Sequence, residues 1–269
     1  MNPNIRSRRF FAPIVLLFLC ICLVFFGAHR VWAQGEPTSH WYCPRQKNHL
    51  QPHFGADLSM VSSYGGYYID KKHTSPNDPD KVVYLTFDAG YENGNVAKIL
   101  DTLKEQNVTG AFFILGHLCD AYPQLVQRMD KEGHLVCNHT YTHKNMTGSP
   151  QGALTEELQR LENACADLGV TMAKYFRPPE GTFNRDMLCE AQSCGYQTIF
   201  WSFAYADWDN QKQPSPEAAK EKILSNMHNG AVILLHPTSA TNAAVLGDVI
   251  TRLKGEGYRF GSLNELTEE

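Results

Sequence analysis

A chain of 269 residues, 43% of them hydrophobic, can bury one sizeable core, and its even composition offers no second domain. Its 24 Lys and Arg against 28 Asp and Glu give a net charge of −4, falling to about −8 once Arg6, Arg8, Arg9 and Arg30 of the first 33 residues are set aside. That sign argues against nucleic acid as a partner.

The N-terminus stands apart. Arg6, Arg8 and Arg9 precede an apolar run over residues 10–28, and Val31-Trp32-Ala33 ends in a small residue, the pattern of a secretory signal peptide cleaved after Ala33. The run also reaches the ~18-residue threshold of a membrane span, so an uncleaved signal anchor over residues 1–33 is the alternative. Either way the remainder is exported, and a membrane is met only through an uncleaved segment. Residues 34–80, rich in Pro, His, Asn and Tyr without a clear period, predict an irregular arm with a short helix near residues 55–62.

From Lys81 to the end of the chain, residues 81–269, strand and helix alternate as a single domain. Val82-Val83-Tyr84-Leu85-Thr86-Phe87 is β-branched and aromatic, a buried strand that stops at Asp88. Gly90, Asn93 and Gly94 turn the chain into a helix over residues 96–105, with Asn107 as its C-cap. A strand at 111–115 and a helix at 123–132, stopped by Gly133, lead to a strand at 135–137 that runs into Asn138-His139-Thr140-Tyr141-Thr142-His143. The next helix begins at Ser149-Pro150 and carries Leu154, Leu158, Leu161, Ala164, Cys165 and Leu168 on one face, closed by Gly169. Tyr175-Phe176 runs into Arg177-Pro178-Pro179-Glu180-Gly181, and Asn184 caps a helix reaching Cys194. A strand at 197–203, a helix at 216–228 and a strand at 231–235 ending in His236-Pro237 follow. A helix at 242–254, a strand at 258–260 and a helical stub at 262–266 complete the chain.

About seven such alternations close naturally into a barrel with helices outside. The alternative, an open doubly wound sheet, would gather functional strand tips at one switch point. Here an acid, three histidines and an arginine are spread over several tips, which favours the barrel. No Gly-x-Gly-x-x-Gly or P-loop lies at these turns, so no nucleotide cofactor is expected. Beyond the leader the cysteines are 43, 119, 137, 165, 189 and 194; Cys189 and Cys194 are near enough in sequence to pair, with buried free thiols as the alternative, and none sits at a strand tip as a nucleophile would.

Those tips suit metal-assisted hydrolysis, which needs a cation, a base for the water proton and an acid for the leaving group. His139 and His143 reach one cation if the backbone between them makes a helical turn. Asp88 is the candidate base, aimed and kept ionised by the fork of Arg177. His236 is the candidate acid, with Asp207 of Ala206-Asp207-Trp208 favouring its protonated form.

In order, these motifs resemble those of the polysaccharide deacetylase family, the NodB homology domain of carbohydrate esterase family 4. Residues 86–90 resemble T-F-D-D-G, residues 139–143 match H-[ST]-x-x-H, and residues 177–181 match R-x-P-x-G. Asp207-Trp208 and residues 234–236 match D-W and L-x-H. The resemblance implies a deformed (β/α)7 barrel and removal of N-acetyl groups from sugars by a monomer that binds a glycan strand. It implies Asp88 as base, Arg177 as its orienting partner, Asp207 tuning the acid His236, and His139 and His143 on a divalent metal, Zn foremost, with Mn or Co as alternatives. Tyr91, Pro179, Trp208 and Leu234 are the substrate-contacting positions it implies. Ala89 departs from the pattern: the family has a metal-binding aspartate there, so the metal would be held more weakly, by two protein ligands plus water or a borrowed Asp88 or Asn93. The longer string over residues 86–94 is similar to the delta-lactam-biosynthetic de-N-acetylases. That subgroup acts on N-acetylmuramic acid of peptide-free peptidoglycan and is associated with spore cortex. An N-acetylglucosamine deacetylase of peptidoglycan or chitin-like glycans, or an inactive cell-wall-binding protein, are the competing expectations.

Overall fold

The computed structural model describes residues 36–268. The leader expected over residues 1–33 lies outside them. No helix among the described residues is long and apolar enough to cross a membrane. In chain order the elements are β1 (Ser39–His40), α1 (Ala56–Ser59), β2 (Gly66–Tyr67), β3 (Lys81–Ala89), α2 (Val96–Glu105), β4 (Ala111–Ile114), α3 (Gly116–Ala121), α4 (Pro123–Lys131) and β5 (Leu135–Asn138). Then come α5 (Ala153–Asp167), β6 (Tyr175–Phe176), β7 (Thr182–Phe183), α6 (Arg185–Ser193), β8 (Gln197–Ile199), α7 (Pro216–Ser225), β9 (Ala231–Leu235), α8 (Ala240–Gly255), β10 (Tyr258–Gly261) and α9 (Leu263–Thr267).

The seven strands read from the sequence form one parallel sheet curled into the deformed barrel. Its order runs β10-β3-β4-β5-β6-β8, with β9 on the other side of β3. The ring closes beyond β8, where Ser202 N donates to Val232 O and Leu234 N to Phe203 O, both at 2.9 Å. The strand expected over 197–203 therefore ends early, at Ile199, and continues as irregular chain touching β9 through the single Phe203–Ile233 bridge.

The pleat of β3 sorts its side chains. Val82 and Tyr84 pack inside the barrel with Phe113, Cys137, Ile199 and Val232. Val83, Leu85 and Phe87 pack outward against Ile99, Leu100 and Leu103 of α2 and Val245, Val249 and Leu253 of α8. This period of two sends Thr86 and Asp88 inward, Asp88 near the C-terminal tip.

Several boundaries differ from expectation for identifiable reasons. The helix after His143 starts at Ala153, because Gly152 at φ 90° ends the preceding turn. The helix expected to His228 stops at Ser225. The extra helix α3 lacks an apolar period and begins directly where β4 ends. The arm over 34–80 is less irregular than its composition: β1 pairs antiparallel with β7, and β2 adds an eighth parallel strand beside β8. Its Trp41, Phe54, Leu58, Val61 and Tyr68 form a second core with Phe183 and Phe200. Cys189 and Cys194 are unpaired; Cys194 Sγ lies 3.3 Å from Thr155 Oγ1 and Cys189 faces solvent.

Candidate active site

Arg177, just past β6, has a fully buried side chain. Its Nη1 donates to Asp88 Oδ1 at 2.7 Å, Nη2 to Thr86 Oγ1 at 2.9 Å and Nε to Ile199 O at 3.0 Å, while the guanidinium lies 4.0 Å over the Phe113 ring. The two-pronged grip expected from sequence is thus divided. One prong holds the carboxylate; the others meet Thr86 and the end of β8, which reach the guanidinium first. Thr86 in turn donates to Ile233 O at 2.6 Å, fixing the acceptor that fixes the arginine. Burial would raise the Asp88 carboxyl, but the charge and hydrogen bond of Arg177, with the charge of His236, hold it below the usual carboxylate range.

His139 directly follows β5. Its Nδ1 lies 2.7 Å from Arg177 O, an atom that only accepts, so Nδ1 carries the proton and the Nε2 lone pair is free, 3.5 Å from Asp88 Oδ2. Burial pushes its pKa down to about 4, leaving the ring neutral. The helical turn expected between the two histidines is not formed. Thr140 and His143 adopt left-handed conformations (φ 69° and 59°), stabilised by Thr140 N donating to Asn138 Oδ1 at 2.9 Å and His143 N to Thr140 Oγ1 at 3.0 Å. This knuckle still brings the rings together, edge to face with centroids 4.9 Å apart.

A neutral imidazole with its far nitrogen pinned to a carbonyl is what a metal-ligating histidine presents. His139 presents this face, and with the His143 ring beside it the two fit a cation as a pair. They are not completed by the protein: Ala89 offers no donor, and no cluster of three His, Cys, Asp or Glu spaced to hold a metal is present among the described residues.

On the opposite wall His236 follows β9. Its Nδ1 lies 2.7 Å from Asp207 Oδ1, and its backbone N donates to Asp207 Oδ2 at 2.8 Å. Burial works against its charged form, but the hydrogen bond and charge of Asp207 prevail and raise its pKa. Asp207 itself is fully buried on the loop after β8. Asn242, in the first turn of α8, holds it there, donating to Asp207 Oδ2 at 2.6 Å and to His236 O at 3.1 Å while its own Oδ1 accepts from Tyr205. Gln213 latches the same loop by donating to Asp207 O and Asp209 O at 2.8 Å.

Both walls face one cleft of ≈ 640 Å³. Of the substrate positions expected from sequence, Tyr91, Trp208 and Leu234 line it. Pro179 does not: it is buried beneath the rim, and the turn that follows it presents Glu180 and Gly181 instead. Tyr91 and Trp208 are 60% and 62% exposed, flat faces open to a sugar, and Tyr91 is backed by His117 with ring centroids 4.9 Å apart. Asn242, Tyr205, Trp201 and Glu180 were not singled out from sequence. Asn242 reads only as a helix start, Glu180 falls at an open position of the R-x-P-x-G string, and Trp201 and Tyr205 stand in the segment before Asp207-Trp208 without a role assigned to either.

The arrangement offers an ionised carboxylate, a histidine biased toward its protonated form, and the neutral imidazole of His139 with His143 beside it, around one volume, which is the equipment of amide hydrolysis. A family model described as polysaccharide deacetylase matches residues 75–199. The chain is 37% identical to the peptidoglycan-N-acetylmuramic acid deacetylase PdaA of Bacillus subtilis, over 93% of this chain and 95% of that one. The structure of that protein, a family 4 carbohydrate esterase, superposes with a TM-score of 0.79 at 38% identity, covering 85% of this chain and 96% of that chain. The peptidoglycan-N-acetylglucosamine deacetylase PgdA of Listeria monocytogenes is 31% identical over 78% of this chain and 45% of its own length. A family 4 pseudoenzyme from Bacillus anthracis superposes at 28% identity with a TM-score of 0.65, covering 76% of this chain and 69% of that one.

Proposed function

This chain belongs to the polysaccharide deacetylase family, hydrolases of N-acetyl amides that depend in general on a metal, and we propose that its substrate is N-acetylmuramic acid in the glycan strand of peptidoglycan. The observation that carries this reading is the pairing, across one cleft, of Asp88 held ionised and His236 held toward its protonated form, in a chain similar along nearly its whole length to a muramic-acid deacetylase.

In this mechanism Asp88 takes the proton of the water that attacks the acetyl carbonyl. Arg177 keeps Asp88 aimed and charged. His236 then gives its proton to the departing amine nitrogen, and Asp207 stabilises the charged imidazole before that step. His139 and His143 are the residues that would hold a divalent cation, Zn foremost, and its contribution when bound is Lewis acidity toward the carbonyl. The amine released on a muramic residue lies beside the lactyl carboxyl of the same sugar. Closure to a δ-lactam is intramolecular and so entropically favoured, which supports reading the reaction as a step toward muramic δ-lactam of spore cortex. The leader over residues 1–33 would carry the enzyme out of the cytoplasm to this substrate, where it works as a monomer.

Mass spectrometry of peptide-free glycan and of intact muropeptides after incubation with the protein tests the reading. Loss of acetyl from muramic residues of the peptide-free strand is expected. Loss from glucosamine residues alone would favour the second reading, which the similarity to PgdA supports. No loss from any glycan would leave a binding protein disabled at Ala89, against which stands the intact geometry of both proton-transfer groups.

A further inference from the structure

One residue of the cleft wall is at once strained, unpaired and acidic. Glu180 has φ 59° and ψ 7°, a left-handed conformation that residues with a side chain rarely adopt. Its neighbours fix it there. Pro178 and Pro179 restrict their own backbones, Gly181 N donates to Pro178 O at 3.1 Å, and Gly181 (φ 65°) is pressed so close to Trp201 that a Cβ would stand 2.8 Å from the indole. The carboxylate is exposed, lines the cleft, and has no hydrogen bond or ion pair among the described residues. Glycine or asparagine would make the same turn with less strain. An acid that satisfies nothing in its own fold, held rigidly beside the arginine that aims the base, is placed for something that enters the cleft.

We propose that Glu180 is a substrate-binding residue: it accepts hydrogen bonds from hydroxyls of the sugar seated at this rim and keeps carboxylates away from the same position. This deepens the substrate reading above and rests on it. An ionised carboxylate is acceptor-only, so sugar hydroxyls satisfy it, whereas the lactyl or peptide carboxylate of a muramic residue is repelled. A strand bearing carboxylates on its muramic residues must therefore lie with those groups turned from Glu180. The residue thereby selects one direction of the strand and disfavours a stem peptide at this rim.

The test is steady-state deacetylation by the full chain and its Glu180→Gln and Glu180→Asn variants, with the melting temperature of each. Glu180→Gln removes the charge and keeps the length. It should raise KM for peptide-free glycan about fivefold with kcat within about twofold, the signature of lost uniform binding, and narrow the preference for peptide-free over peptide-bearing strands. Glu180→Asn relieves the backbone but cannot reach the sugar. It should raise KM at least as much while Tm rises by ~1–3 °C. Unchanged KM in both variants overturns the proposal, as does a fall in Tm with kcat and KM altered together, which would make Glu180 part of the scaffold. Should the wild type act on glucosamine residues alone, the muramic reading fails by itself, and the same KM comparison on that glycan still decides Glu180.

Discussion

On one wall of the cleft, Asp88 and Arg177 are locked by strand ends: β3 carries the acid, β6 leads into the arginine, and Thr86 and the end of β8 take up the remaining guanidinium nitrogens. On the other, only His236 follows a strand directly. Its partner Asp207 hangs on a loop, and that loop keeps its shape because Asn242 and Gln213 tie it to the start of α8 and to itself. The first wall is rigid because the sheet is rigid; the second depends on a few side-chain hydrogen bonds. Changes to the base wall should accordingly remove chemistry outright, while changes around the acid should weaken it by degrees and alter its pH dependence.

Asp88→Asn is the harshest test. An amide cannot take the water proton, so turnover should fall ~10³-fold or more with the fold intact; activity within about twofold of wild type would end the assignment. On the acid wall, His236→Ala should cost ~10²-fold in kcat, read most clearly on substrates with a poor leaving amine, and an unchanged rate would reduce His236 to packing.

Asp207→Asn probes the same wall through pH. Activity requires Asp88 ionised and His236 protonated, so the profile is a bell whose alkaline side follows His236. Its pKa is raised by Asp207, hence the charged form persists to higher pH than in a free histidine. Replacing the carboxylate by an amide removes that support, and the alkaline side should move to lower pH while the acid side, set by Asp88, stays. Asn242→Ala should act in the same way but less, lowering kcat by about tenfold or less, since it leaves the carboxylate charged but poorly aimed. A profile that merely scales down would show that the loop holds Asp207 without Asn242.

The mildest effect is expected at Ala89. Ala89→Asp places a carboxylate at a position with no solvent exposure, so metal-stripped protein should melt lower than wild type. Added Zn²⁺, Mn²⁺ or Co²⁺ should restore the loss and bind more tightly than to wild type. Calorimetric titration of the two stripped proteins decides it, and equal affinities would mean that the third ligand comes from elsewhere.

The same contrast explains what the sequence disclosed. Asp88, His139, Arg177 and His236 were legible because each follows an apolar run whose period already says strand, and a strand tip is a place. Asp207 was legible only by its motif: nothing in the irregular chain between Ile199 and the start of α7 announces where its side chain lies. Asn242 was out of reach, because a polar residue in a first helical turn is ordinary and only its partners make it part of the site. The two histidine rings lie side by side as expected but on a different backbone, since Asn138 and Thr140 build a knuckle that no periodicity reveals. Glu180 lines the cleft in place of Pro179 for a similar reason: a single left-handed residue decides which of two neighbours faces it.

The docking of the arm bears on how the protein assembles. Trp41 stacks on Phe200 and Phe54, donates from its indole to Trp201 O at 2.8 Å and, through its backbone N, bonds Gly181 O at 2.8 Å. The segment that leaves the ribosome early thus has its partners far along the chain, in residues not yet synthesised. Contacts of such sequence separation are slow to form, so the cleft rim at Gly181 and Trp201 should be finished last. A chain caught before that moment would carry a closed barrel and an unfinished rim, and the last kinetic phase of refolding, followed by tryptophan fluorescence, should coincide with the appearance of activity.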